Sequence, residues 1–320
     1  MRHSSSTTVS PADDTPVTPA RRRRRFRPRL RSALAWLATR DRLNFLVTNR
    51  VPRRALTVLV GRLSRIEHPW VRDVSIWAWR LFADLDLAEA RTLEFRSMHD
   101  CFTRQLLSGA RPPDPREEVL ASPSDGIVGA CGTIERGVLL QAKDSSYALA
   151  DLLAGDEALA GELEGGRYVT LRLSSGMYHR FHAPHDCRVT RVTYVSGDAY
   201  NVNPAALARV PRLFCRNERA IVRCRLAGGD GPTVVLVPVG AILVASIRLQ
   251  FLDVTLHLRY RGPNEMPCDA TLAKGEEMGW FEHGSTIVVL APAPFELAPG
   301  LVTGRRVRAG EALLVREDGA

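Results

Sequence analysis

The spacing of apolar positions changes character once along this chain, near residue 110. Before that point Leu30, Leu34 and Leu37, and then Leu56, Leu59 and Leu63, recur at intervals of three and four with arginines nearby, the stripe of amphipathic helices. Val71, Val74, Trp77, Trp79, Leu81 and Phe82 continue the helical texture, crowded enough to be apolar around much of the circumference. Ala110-Arg111-Pro112-Pro113-Asp114-Pro115 ends it, because proline removes the amide donor a helix needs. Beyond that segment the texture predicts strands over 126–130, 137–142, 167–173, 187–195, 220–226, 233–239, 251–259 and 285–290. Alternation is clearest in Leu252, Val254, Leu256 and Leu258 set against Asp253, Thr255, His257 and Arg259. The strand at 187–195 is expected from its β-branched Val189, Thr190, Val192, Thr193 and Val195. Only 147–159 predicts a helix in this half. The pattern predicts an α+β chain: a disordered arm over 1–29, a helical region over 30–112 and a β-rich domain over 113–320.

Charge sharpens this division. Residues 1–60 hold fourteen arginines against three aspartates, a balance of +11, so the other 260 residues sum to −2. The basic arm suits an anionic surface. No aromatic interleaving, Cys/His finger or helix-turn-helix pattern accompanies it, so nucleic acid is not an expected partner. Helices with arginine on one side and Leu, Trp and Phe on the other fit either packing on the body or a position in a membrane interface. The longest apolar run, 234–247, contains Pro238 and Gly240 and predicts two strands around a turn, not a membrane span. At 320 residues the chain is too long for a small cross-linked scaffold. Six cysteines without a C-x-x-C pair suit reduced thiols in a cytoplasmic setting, and no signal-peptide order is evident.

Candidate chemistry centres on Phe281-Glu282-His283-Gly284-Ser285-Thr286, which runs into Ile287-Val288-Val289-Leu290. A serine hydroxyl beside a glycine carbonyl can attack its own backbone. Ser285 Oγ adds to the Gly284 carbonyl, the amide becomes an ester, and elimination across the serine Cα–Cβ bond cuts the chain, leaving an N-terminal keto-acyl group. Glycine suits the preceding position because it tolerates backbone shapes that a Cβ forbids; Gly-Ser-Thr is also a common turn. The hydroxyl needs a base, and the base needs a group that fixes its tautomer. Tyr178-His179-Arg180-Phe181-His182-Ala183-Pro184-His185 offers imidazoles, and Ser122-Pro123-Ser124-Asp125-Gly126 offers a carboxylate in what also reads as a turn. Zinc binding by His179, His182 and His185 is a rival, which would make the chain a zinc-dependent β-rich peptidase. Against it, a strand points His179 and His182 to opposite faces, and Pro184 bars a helix that would unite all three. No metal is therefore expected. A non-catalytic lipid-binding module, which would need no scission, is a third reading.

The ordered motifs resemble those of the pyruvoyl-dependent phosphatidylserine decarboxylases over roughly residues 50–318. Phe102-Thr103-Arg104-Gln105-Leu106 with Gly109-Ala110-Arg111-Pro112 opens the match. Ser122 to Gly126, the Lys143…Tyr147…Leu152-Leu153 stretch and Tyr178 to Pro184 follow. Asn201-Val202-Asn203-Pro204, Asn217-Glu218-Arg219 and Gly240-Ala241 continue it, and Lys274 to Phe281 leads into Gly284-Ser285-Thr286. The resemblance implies a proenzyme cut between Gly284 and Ser285 into a large chain 1–284 and a small chain 285–320, with Ser285 becoming a covalent pyruvoyl cofactor. It implies that Asp125 and His182 activate Ser285 and that His179 aids decarboxylation. It further implies phosphatidylserine as substrate, phosphatidylethanolamine and CO2 as products, and an anionic membrane surface as partner on the cytoplasmic face. An ether-linked, archaetidylserine-type lipid is an alternative substrate, and a homodimer is left open. Two departures stand out: His283 where the family has leucine, and Ser175-Gly176-Met177 where it has a Pro-x-Asp pattern.

Overall fold

The computed structural model describes residues 52–142, 145–227, 231–242, 246–282 and 285–317. The arm 1–29, the Leu30, Leu34 and Leu37 stripe, Lys143, His283 and Gly284 lie outside these. The described chain is an α+β structure whose centre is an eight-stranded antiparallel sheet. Its spatial order is β12 (Glu265–Leu272), β7 (Cys187–Val195), β8 (Arg219–Leu226), β9 (Thr233–Val239), β14 (Ser285–Ala291), β5 (Arg167–Leu173), β2 (Gly126–Thr133) and β16 (Arg306–Val307).

Both faces of this sheet are covered, and β14 shows why its sequence carries no polar alternation after Thr286. Successive side chains of a strand point to opposite faces. Ile287, Val289 and Ala291 enter one core, whereas Val288 and Leu290 enter the other. The first core is closed by a four-stranded sheet of β11 (Val254–His257), β10 (Ser246–Leu249), β13 (Glu277–Phe281) and β6 (Arg180–His182). A three-stranded sheet of β1 (Val119–Ala121), β17 (Ala312–Arg316) and β15 (Phe295–Leu297) completes that side. The second core is roofed by the hairpin β3 (Val138–Ala142) and β4 (Ser145–Ala148), with short helices later in the chain. Trimming one such buried aliphatic side chain to alanine costs ~2–5 kcal/mol, so the place of β14 between β9 and β5 is strongly specified.

In chain order the helices are α1 (Arg53–Ser64), α2 (Pro69–Phe82), α3 (Met98–Phe102), α4 (Leu149–Leu152), α5 (Glu157–Glu162), α6 (Pro204–Leu207) and α7 (Leu213–Arg216). Trp79 of α2 packs with Phe95, Cys101 and Phe102 in a third, smaller core. The opposite side of the helical pair is open: Leu59, Leu63, Ile66, Trp70, Val74 and Trp77 are exposed. Arg53 forks onto Asp198, and Arg65 Nη2 meets both carboxylate oxygens of Glu282 at 2.5 and 2.6 Å, so α1 is pinned to the body at both ends.

Two predicted elements change form. The strand expected over 251–259 shrinks to β11, because Gln250 to Asp253 turn the chain from β10 and Asp253 adopts a positive φ of 52°. The helix expected over 147–159 begins as the end of β4 and breaks into α4 and α5. Ala154 and Gly155 have positive φ there, and Asp156 caps the new helix by accepting from the Leu159 amide at 3.0 Å.

Candidate active site

Ser285 is the first residue of β14 and pairs with Leu173, the last of β5; Thr286 lies between Arg172 and Val239. Both Ser285 and Thr286 are fully buried, and among the described residues neither hydroxyl has a hydrogen-bond partner. An unmade bond on a buried hydroxyl costs ~1–3 kcal/mol, and native chains seldom leave one without a reason. Ser124 Oγ in the 122–125 turn is likewise without a partner among the described residues, whereas the ionisable groups Asp125 and His182 are closely held.

His182 sits at the end of β6. Its backbone amide donates to Pro123 O at 2.8 Å, which brings the 122–125 turn beside it. Its Nδ1 donates to the Gly275 carbonyl at 2.9 Å. A carbonyl can only accept, so in the neutral ring Nε2 carries the lone pair and accepts from the Tyr178 hydroxyl at 3.0 Å. Burial lowers the His182 pKa from its ordinary value, against the opposing pull of the Gly275 bond and of Glu277 and Asp125. Gly275 can present that carbonyl because its φ is +82°, and a Cβ there would come within 2.9 Å of Pro113.

Asp125 receives Arg111 in a two-pronged contact, Nε and Nη2 each at 2.8 Å, and accepts from the Ala309 amide at 2.9 Å. Arg111 also reaches Glu89 at 2.9 Å. The charge of Asp125 acts on both His182 and Tyr178, and among the described residues it makes no hydrogen bond to either. His179 is fully buried, donates from Nδ1 to Met177 O at 2.8 Å, and lies with its ring centroid 4.0 Å from that of Phe102. Its carbonyl accepts from Phe281, four residues before Ser285.

The sequence-predicted residues thus occupy one neighbourhood but form no continuous hydrogen-bonded relay. Among the described residues none joins Asp125 to His182, or either one to Ser285. Tyr178 and Arg111 have roles that the sequence reading did not assign, as does the Gly275 carbonyl. For Tyr178 the available signal was its place four residues before His182. The unusual Ser175-Gly176-Met177 segment has a steric reason: a Cβ at Gly176 would sit 2.3 Å from the Asp84 carbonyl oxygen. Buried Arg104 donates to the Gly176 and Met177 carbonyls, tying that segment to the helical part.

His179, His182 and His185 do not converge. His185 is half-buried and engages Glu117 O through Nε2 at 2.6 Å, and among the described residues no three His, Cys, Asp or Glu side chains are placed to share an ion. The surroundings of Ser285 do fit a keto-acyl group. Its hydroxyl holds no bond that conversion to a carbonyl would forfeit, and its face of β14 is apolar.

Residues 98–315 match the family model described as phosphatidylserine decarboxylase. The chain is 37% identical over 287 residues to the phosphatidylserine decarboxylase proenzyme of Alcanivorax borkumensis, a match covering 85% of this chain and 95% of that protein. It is likewise 37% identical over 275 residues to the protein of the same name from Yersinia pestis, covering 82% and 92%.

Proposed function

The chain belongs to the phosphatidylserine decarboxylase family and is an enzyme of that activity made as a proenzyme, and we propose that it matures by scission between Gly284 and Ser285 with Ser285 becoming a pyruvoyl group. The observation that carries this reading is the buried Ser285 hydroxyl, without a hydrogen-bond partner among the described residues, at the head of a strand buried along its whole length. Ester formation at Gly284 and elimination turn Ser285 into an N-terminal dehydroalanine, whose hydrolysis releases ammonia and leaves the keto-acyl group. Such a group supplies an electron sink for the pair left when CO2 departs.

The chain's own residues supply the proton chemistry. His182, kept neutral by burial, takes the proton of Ser285 Oγ once Tyr178 yields its hold on Nε2. Asp125, anchored by Arg111, stabilises the imidazolium through its charge. His179 is the proton donor to the serine-derived carbon after CO2 loss. The apolar surroundings favour departure of a carboxylate that is poorly solvated there. Residues 113–320 form the decarboxylase domain in this reading, and the chain before it brings the enzyme to the cytoplasmic face of the membrane. The exposed Leu59, Leu63, Trp70, Val74 and Trp77 support that role. So does the arginine-rich arm, where each basic residue near an anionic leaflet contributes ~1 kcal/mol. Among the described residues no helix is long and apolar enough to cross a membrane.

Intact-mass measurement of the purified protein tests the reading. Two chains are expected, the smaller being 285–320 with a pyruvoyl N-terminus, and the Ser285→Ala variant should stay whole and inactive. A wild type that decarboxylates phosphatidylserine while uncut would overturn the pyruvoyl assignment.

A further inference from the structure

A cavity of about 770 Å³ lies between helices α1 and α2 and the end of the central sheet. Val60, Leu63, Trp70, Val74 and Trp79 form its helical wall; Ile127, Arg172 and Leu173 form the opposite wall. Arg172 is the single charged residue among those lining it. It stands directly opposite Thr286 and next to Leu173, the cross-strand partner of Ser285.

The guanidinium of Arg172 is half-buried, and among the described residues it has neither an ion pair nor a hydrogen bond. Burial alone acts on its charge, lowering its pKa with no carboxylate to oppose the effect. Other enclosed arginines of this chain have partners for the guanidinium: Arg111 has Asp125 and Glu89, Arg180 has Glu277, and Arg104 and Arg219 have backbone carbonyls, with only Nε of Arg104 left buried and unbonded among these. A buried cation without a counter-charge is costly in the free protein, and the guanidinium fork is shaped for a phosphate or carboxylate.

We propose that Arg172 is the anion anchor of this cavity, gripping the phosphodiester of a glycerophospholipid whose acyl chains lie along the apolar wall of α1 and α2. The inference rests on the phosphatidylserine reading and assigns a contact within it. Phosphate is favoured over the serine carboxylate by the chemistry. A cation on the carboxylate would stabilise the very group that must leave as CO2, whereas the phosphate stays charged throughout. Ser174 and Ser175, exposed at the cavity edge, extend its polar end beyond Arg172.

Binding can be measured without turnover in the uncut Ser285→Ala protein, using the fluorescence of Trp70 and Trp79 and dihexanoyl lipids kept below their micellar concentration. Arg172→Gln should weaken both phosphatidylserine and phosphatidic acid by about tenfold or more, the loss of one charge-assisted pair. Arg172→Lys should lose less, and dihexanoylglycerol, which has no phosphate, should bind unchanged. A loss for phosphatidylserine but not phosphatidic acid would show that Arg172 reads the carboxylate and would overturn the proposal. So would an equal loss for all three lipids, or inorganic phosphate binding as tightly as the lipids. A second measurement is independent of lipid: Arg172→Met should raise the melting temperature of the lipid-free protein, since it removes an uncompensated charge, and a lowered one would mean an internal role. Failure of the family reading is distinguishable, because the protein without any substitution would then remain uncut or leave phosphatidylserine intact.

Discussion

His179 and His182 lie three residues apart and both donate from Nδ1 to a backbone carbonyl, yet they are set differently. His179 is packed against Phe102, whereas His182 has its Nε2 lone pair covered by a tyrosine hydroxyl. A bond donated to the neutral ring disfavours protonation, and burial does the same. Ring-proton NMR of His182 in the uncut Ser285→Ala protein should therefore titrate with a midpoint below 6.5, the ordinary histidine value. Tyr178→Phe removes the donated bond, so the midpoint should move upward. A wild-type midpoint above 6.5 would contradict the neutral base. The sign carries to scission: its rate should hold through neutral pH and fall only as acid protonates His182. These two histidines and Asp125 were legible because each sits in a short, ordered motif. The Arg111 fork on Asp125 was not, because fourteen residues separate them and only the fold closes that gap.

Elements of the central sheet differ in how plainly the sequence announces them. Strand β14 is evident from its uninterrupted Ile-Val-Val-Leu run, which a two-sided core requires. Strand β12, by contrast, alternates exposed with buried or half-buried positions but carries Pro267, which argues against a strand interior, so it escaped notice; as the edge of the sheet it tolerates the proline. Helix α1 was expected from its leucine spacing, but not its mooring. Glu282 is buried beside Arg65, with His99 Nε2 3.8 Å away, and it immediately precedes His283-Gly284. Arg65→Ala should loosen α1 by roughly 1 kcal/mol, the scale of a partly exposed pair. Hydrogen exchange should quicken over residues 53–64 and stay unchanged in β14. Equal quickening in both elements would mean that the pair supports the whole fold.

Across the whole molecule, apolar exposure and positive charge gather on the same part of the chain. The first 60 residues carry +11 while the remainder sums to −2, and the exposed Trp70 and Trp77 stand on the helix that follows. A surface of this kind fits an enzyme whose lipid substrate stays in the bilayer. Trp70→Ser with Trp77→Ser should reduce co-sedimentation with anionic liposomes several-fold while leaving chain scission intact, because neither side chain lies in a buried core. Binding that survives the double substitution at physiological salt would place the membrane contact elsewhere. The zinc-peptidase reading fails at this same scale: three histidines that share one heptapeptide are dispersed by the sheet to a core, a carbonyl-lined niche and the surface.

By itself the sequence determined the change from helical to strand texture near residue 110, the central strand that begins at Ser285, and the set of residues able to carry proton chemistry. Those properties reside in local spacing and side-chain type, which act over a few residues. Only the tertiary structure decided that Tyr178 caps His182, that Arg111 rather than His182 holds Asp125, and that Arg172 faces an apolar cavity without a counter-charge among the described residues. Each of these is set by strand register or by contact between distant segments. A charge or hydroxyl takes its role from what the fold places within a few ångströms of it.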